Sequence, residues 1–256
     1  MSNHVLVDKS GGVLTLTLNR PEKKNAITRA MYQTLGDAID ASNHDAELRC
    51  VLLRGEGEMF CAGNDMSDFA QMSATAGNAS EVTWQGNPLL SALARARLPI
   101  VAAVQGRAVG VGVTMLLHCD LVFLSDDVLL TTPFVNLALV PEAASSLTLP
   151  GRIGHVRAFS MFVLGEAVNA QSAVAWGLAN AAVSRAELQA RARAAADSLA
   201  AKPPAAVAIT KALMRDAAEL QRRIDREGQH FVEQLGSPEA KEAFAAFAEK
   251  RRPNFV

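Results

Sequence analysis

Hydrophobic and polar positions along this chain follow two different periods. Val13-Leu-Thr-Leu-Thr-Leu18 alternates strictly, which predicts a half-buried strand entered from Gly11-Gly12 and ended by Asn19-Arg20-Pro21. Met31, Leu35, Ala38 and Ile39 recur at helical spacing behind Thr28, a good N-cap. Arg49–Arg54, Pro99–Val104, Asp120–Leu124 and Val128–Thr131 are short apolar runs of the kind that form buried strands. A helix is predicted around Pro88 to Arg97. Residues 66–87 have no strong period and read as mobile loop with a short helix. Ala143–Leu149 reads as a short helix stopped by Pro150-Gly151. Helices follow over 156–164, 170–176, 185–201, 204–214, 217–235 and 238–251, with Pro204 suited to a first helical position. Repeated strand–turn–helix units followed by helices alone predict an α/β core over residues 1–200 and a helical region over 201–256.

The stretch Gly106-Arg-Ala-Val-Gly-Val-Gly112 stands out. It follows a predicted strand and precedes the apolar run Val113–Leu117. Glycines there allow a sharp turn and a close backbone approach. The first N–H groups of the next helix then lack partners, a setting that suits a negatively charged oxygen. A glycine-rich turn that binds nothing has the same sequence. The order G-x-x-x-G-x-G is not the dinucleotide fingerprint, and no G-K-[ST] follows.

Bulk composition narrows the field. The chain has 256 residues, 50% of them hydrophobic, and a net charge of −1. That suffices for a large core and provides no field for nucleic acid or an anionic membrane. Cys50, Cys61 and Cys119 lie in or beside apolar runs without metal spacing, as expected of free thiols in a reducing compartment. Met1 to Gly12 lacks a secretory pattern, and no apolar run is as long as a membrane helix. A soluble, cytoplasmic protein is expected.

Several side chains are candidates for chemistry. Glu142 lies among Val140, Pro141, Ala143 and Ala144. Burial there would raise its basicity and suit a general base; a helix-start carboxylate that complements the dipole would look the same. Asn64 and Asp65 follow Ala62-Gly63, a loop whose N–H groups could face a ligand, although Gly-Asn-Asp is also ordinary turn chemistry. His118, inside an apolar run, reads as a core histidine. His4, His44, His155 and His230 show no metal spacing, and G-x-S-x-G is absent. Lys23, Lys24, Lys250, Arg251 and Arg252 could hold phosphates or simply be solvated.

Together these segments resemble the crotonase, or enoyl-CoA hydratase/isomerase, superfamily over nearly the whole chain. Asn19-Arg-Pro-Glu-Lys-Lys-Asn-Ala26, Phe60-Cys-Ala-Gly-Asn-Asp65, Gly106–Gly112 with Cys119-Asp120, and Phe247-Ala-Glu-Lys-Arg251 with Pro253 and Phe255 carry the resemblance, in the family's order. It implies a spiral of ββα units with a C-terminal helical region that builds trimers or hexamers. The implied ligand is an acyl-CoA thioester, with no further cofactor and no metal. Its carbonyl oxygen would lie between the N–H groups of Asn64 and Val111. Ala62, Gly63, Asp65 and Met66 would line the coenzyme A path, with Gly110, Thr114, Phe134 and Leu137 near the acyl group and Lys24 and Lys250 near the phosphates. Family hydratases carry two catalytic Glu residues where this chain has Thr114 and Phe134. Pro141-Glu-Ala-Ala-Ser-Ser146 instead resembles the stretch holding the single catalytic Glu of Δ3,Δ2-enoyl-CoA isomerases. The expectation is therefore an isomerase with Glu142 as its base. The rivals are an isomerase of ring-epoxide or branched acyl-CoA, a weak hydratase, and a non-catalytic acyl-CoA binder.

Overall fold

Strand β1 (Val5–Ser10) turns through Gly11 and Gly12, at φ 60° and 76°, into β2 (Val13–Leu18) and pairs with it antiparallel. The computed structural model describes residues 4–68 and 84–255, so most of the loop expected at 66–87 lies outside them. Thr28 caps α1 (Arg29–Ser42) by accepting the Met31 N–H, and Met31, Leu35 and Ile39 are buried as their spacing predicts. The chain then forms β3 (Cys50–Gly55), α2 (Pro88–Arg95) and β4 (Ile100–Val104). A short strand, β5 (Arg107–Val109), leads to α3 (Val111–Thr114), which tightens to a 3-10 turn through His118. Next come β6 (Leu121–Ser125), β7 (Leu129–Thr131) and a single turn at Val135–Leu137. They are followed by α4 (Ser145–Ile153), α5 (His155–Phe159), β8 (Val168–Asn169), α6 (Ala170–Ala175), β9 (Ala181–Val183) and α7 (Arg185–Ala200). The chain closes with α8 (Pro204–Met214), α9 (Ala217–Leu235) and α10 (Pro238–Ala248).

The strands form two sheets. One has the order β1-β2-β3-β4-β6-β9 and is parallel apart from β1; the other has the order β5-β7-β8. The chain leaves β4 for β5 and leaves β6 for β7, stepping each time from the large sheet to the small one. This gives the repeated ββ step and the crotonase-type spiral.

The structure departs from the sequence reading in three places. Strand β2 is buried along its whole length, not half-buried. Its Leu14, Leu16 and Leu18 face the main core, while Val13 faces a second cluster formed with Leu188, Ala192 and Ala196 of α7. Alternation cannot report a sheet covered on both faces when its second face is lined by Thr15 and Thr17. The helix expected at 143–149 instead starts at Ser145 and continues through Pro150 to Ile153, stopping at Gly154 with φ 82°. Proline's fixed φ is compatible with a helix. The cost is one missing hydrogen bond and crowding of the Ser146 carbonyl by the ring, set against burial of Leu149 and Ile153. Strands β1, β5, β8 and β9 were not anticipated. The last three have only two or three residues each, and β1 is exposed beyond Leu6. Among the described residues no helix is long and apolar enough to cross a membrane.

Candidate active site

Two backbone segments meet at the centre of the molecule. Phe60 N–H donates to the Gln105 carbonyl at 2.9 Å, Cys61 N–H to Arg107 at 3.2 Å, and Val109 N–H to Cys61 at 2.9 Å. Residues 60–64 therefore run beside the glycine-rich stretch. Close approach is what demands the glycines. A Cβ on Gly106 would lie 2.1 Å from the Glu58 carbonyl oxygen, and one on Gly112 would lie 2.9 Å from Cys61 Cβ.

Among the described residues, the same packing leaves two N–H groups without a backbone partner. Ile27 N–H donates to the Gly63 carbonyl at 2.8 Å, and the Ile27 carbonyl accepts the Asp65 N–H at 2.9 Å. Both neighbours of Asn64 thus turn toward Ile27, and the Asn64 N–H faces the opposite side. Val111 opens α3, where the N–H groups of Val113 and Thr114 are satisfied by the Gly110 carbonyl and its own has no helical partner.

Glu142 is buried, with 7% of its surface exposed. Its Oε1 accepts the Thr114 hydroxyl at 2.5 Å. Burial pushes its carboxyl up to about 7, against the Thr114 hydrogen bond, and the Glu227 carboxylate adds to the rise. Thr114 and Glu142, separated by 28 residues, are thus partners, as the sequence alone could not show. The backbone behind Glu142 is unusual. Ala143 and Ala144 adopt φ 64° and 56°, left-handed positions that non-glycine residues rarely take. His118 holds this turn. Its Nδ1 accepts from Arg215 at 2.9 Å, so its Nε2–H is the atom that donates to the Ala143 carbonyl at 2.7 Å. Burial, with Arg215 nearby, holds the imidazole down to about 3. His118 is therefore a neutral structural clamp, in keeping with its reading as a core residue.

The remaining expected residues are not all brought to this pair. The Ala62 N–H donates to the Lys24 carbonyl at 2.9 Å, which brings Lys24 beside the loop. Gly63 (φ 93°) presses against the Val109 carbonyl. The Asp65 carboxylate is engaged by the Ser67 hydroxyl and Arg20, which hold it at about 2. Its side chain fixes the loop. Met66 and Leu137 pack against the core half-buried. Phe134 is buried beside Phe162, with its ring edge 3.9 Å from where a Gly110 Cβ would stand. Lys250 lies exposed past the end of α10, with its N–H on the Phe247 carbonyl.

Sequence reasoning missed two groups. Tyr32 of α1 donates its hydroxyl to Asn64 Oδ1 at 2.6 Å. Glu227 of α9 is buried and accepts the Ser146 N–H at 2.9 Å. A signal existed for the second: Leu220, Ile224, Glu227, Phe231 and Leu235 share one helix face, and only Glu227 is charged.

A cleft of about 1000 Å³ lies elsewhere, between the core and α8, lined by Asp120, Arg152, Lys211 and Arg215 among others. Those groups are already satisfied, Lys211 by Asp120 and the Leu98 carbonyl, Arg215 by His118, and Arg152 by the Leu117 carbonyl. The chemistry therefore points to Glu142 rather than to the cleft.

Residues 8–256 match the family described as Enoyl-CoA hydratase/isomerase. A carnitinyl-CoA dehydratase of Proteus mirabilis is 34% identical, covering 100% of this chain and 99% of its own length. A 1,2-epoxyphenylacetyl-CoA isomerase of Escherichia coli is 31% identical, with 100% and 99% covered. The crystal structure of an enoyl-CoA hydratase/isomerase from Pseudoalteromonas atlantica superposes with a TM-score of 0.90 at 40% identity, covering 99% of this chain and all of that one. With fold, motif order and sequence match in accord, the chain belongs to the enoyl-CoA hydratase/isomerase family of the crotonase superfamily, a family of hydratases and isomerases.

Proposed function

We propose that the protein is an acyl-CoA isomerase that shifts a 3-enoyl-CoA double bond to the 2-position. The observation that carries this reading is Glu142, a buried carboxyl held near neutrality and hydrogen-bonded to Thr114. In this reading the thioester oxygen accepts from the N–H groups of Asn64 and Val111. Glu142 takes a proton from the carbon between carbonyl and alkene. The C–H electron pair moves onto the thioester oxygen and along the chain, forming a dienolate. Neutral Glu142 then returns the same proton two carbons further on, the electrons flow back, and the 2-enoyl-CoA leaves. No atom or electron is gained or lost, so nothing beyond the coenzyme A of the substrate is required.

Charge develops on the thioester oxygen, where fixed donors act most strongly; loss of one such donor costs about 2.7–4 kcal/mol. A base near 7 suits the task because about half of it is ionised at neutral pH and it is basic enough to take the proton. Thr114 and Phe134 stand where family hydratases carry carboxylates, and neither can activate a water for addition. The relatives' names span a dehydratase and an isomerase, so family membership by itself leaves this choice open.

The test compares wild type and Glu142→Gln on 3-enoyl-CoA and on crotonyl-CoA. The expected result is a loss of double-bond migration in the variant of at least about a thousandfold, as for loss of an essential acid–base group. Acyl-CoA affinity should be kept, and wild-type hydration of crotonyl-CoA should be slight. Full turnover by Glu142→Gln, or brisk hydration by wild type, overturns the assignment.

A further inference from the structure

A second carboxylate, Glu227, reaches the turn behind Glu142 from α9, 85 residues further along the chain. Its Oε1 accepts the Ser146 N–H at 2.9 Å. That N–H belongs to the first turn of α4, whose own start is the Ser145 N–H on the Glu142 carbonyl at 3.1 Å. Between them lie Ala143 and Ala144, both left-handed. Such a conformation persists only where its surroundings over-determine it. His118 holds one side of the turn through the Ala143 carbonyl, and Glu227 holds the other. Among the described residues, the other oxygen of Glu227, Oε2, is buried without a hydrogen-bond partner. A buried carboxyl is a costly way to cap one N–H if capping is its only task.

We propose that Glu227 is a positioning residue for Glu142: one oxygen pins the turn that carries the base, and its carboxyl is the second buried acid of that site. This rests on the reading of Glu142 as the base. The titratable groups whose fields involve Glu142 come from three elements. They are Tyr32 on α1, Cys61 in the loop after β3, and Glu227 on α9. Tyr32 is held well above its ordinary 10.0 and Cys61 is pushed up to about 12, both by burial. Neither is charged at neutral pH, which leaves Glu227 as the remaining acid there; burial pushes its own carboxyl up, against hydrogen bonds from Ser146 and Ala144 and the charge of Arg223. Beside Glu227 itself, Arg223 one turn earlier donates to Ser146 Oγ at 3.4 Å, and the Thr114 hydroxyl faces Glu142 from α3.

Two variants separate the two roles. Glu227→Gln keeps an oxygen for the Ser146 N–H and removes the acid. Glu227→Asp keeps the acid and shortens the reach. The Glu142 carboxyl is followed by carbon-13 NMR titration, and kcat by its pH profile. In Glu227→Gln the ionisation constant of Glu142 is expected to rise about tenfold, so its midpoint falls. In Glu227→Asp the midpoint should stay, while the high-pH plateau of kcat falls about tenfold with KM little changed, because the turn loosens. An unmoved midpoint in Glu227→Gln overturns the role as second acid, and an unmoved plateau in Glu227→Asp overturns the positioning role. NMR midpoints that shift while turnover shows no limb at the Glu142 midpoint would retain the pairing and remove Glu142 as the base.

Discussion

Glu142 illustrates how burial converts an ordinary carboxylate into a reagent. Its carboxyl titrates near 4.5 in the unfolded chain and near 7 in the fold, so the folded state holds the proton more tightly. The penalty for ionising it in the fold is absent below 4.5, grows as pH rises to 7, and is complete above. Glu142→Gln should therefore raise stability at pH 8 by on the order of 3 kcal/mol and do nothing at pH 4, as urea unfolding at the two pH values would show. Thr114 works in the other direction, because its hydroxyl donates to the ionised form. Thr114→Val should shift the rising limb of the kcat–pH profile upward by about one pH unit, the equivalent of one hydrogen bond to a charged group. Removing a merely structural threonine would leave the limb in place.

At the scale of elements, the site depends on how closely the loop after β3 lies against the start of α3. Gly112 permits that contact. Gly112→Ala would push a methyl group into Cys61 and separate the N–H groups of Asn64 and Val111. The expected outcome is a loss in kcat/KM on the order of a hundredfold with little change in helix content by circular dichroism, since small misplacements cost that much. The loop and the glycines were both legible in the sequence as segments able to offer N–H groups. Their contact was not, because Cys61 and Gly112 are 51 positions apart and the bridge between Cys61 and Ala108 joins two segments with no local signal for pairing. Element boundaries failed for local reasons as well. Pro150 reads as a stop, yet its φ fits the helix and buried Leu149 and Ile153 carry it through.

For the molecule as a whole, the C-terminal helices are more than an appendage. Leu220, Ile224, Phe231 and Leu235 of α9 belong to the same core as β2, α1 and α3. Removal of residues 201–256 should expose that core and abolish cooperative unfolding in urea; a truncated chain with a wild-type midpoint would mark residues 1–200 as a self-sufficient domain. In contrast, α8 turns Ile209, Leu213 and Met214 to solvent, each at least 60% exposed. We propose this apolar face as an interface between copies of the chain, in keeping with the trimer or hexamer expected from the resemblance. Sedimentation velocity on wild type and on Leu213→Glu tests it, with a shift toward monomer expected in the variant.

Much of this protein was determined by the sequence alone. The apolar periods specify strands and helices, the four ordered motifs specify the family, and Glu142 among alanines and proline announces a carboxyl in apolar company. These are local properties, set by neighbours a few residues away. Only tertiary structure decided that Glu142 meets Thr114, that His118 and Glu227 hold the turn behind it, and that Gly63 and Asp65 turn toward Ile27 on either side of Asn64. Each of these depends on which distant segment arrives alongside and excludes water, and desolvation by remote neighbours leaves no mark in a short window of sequence.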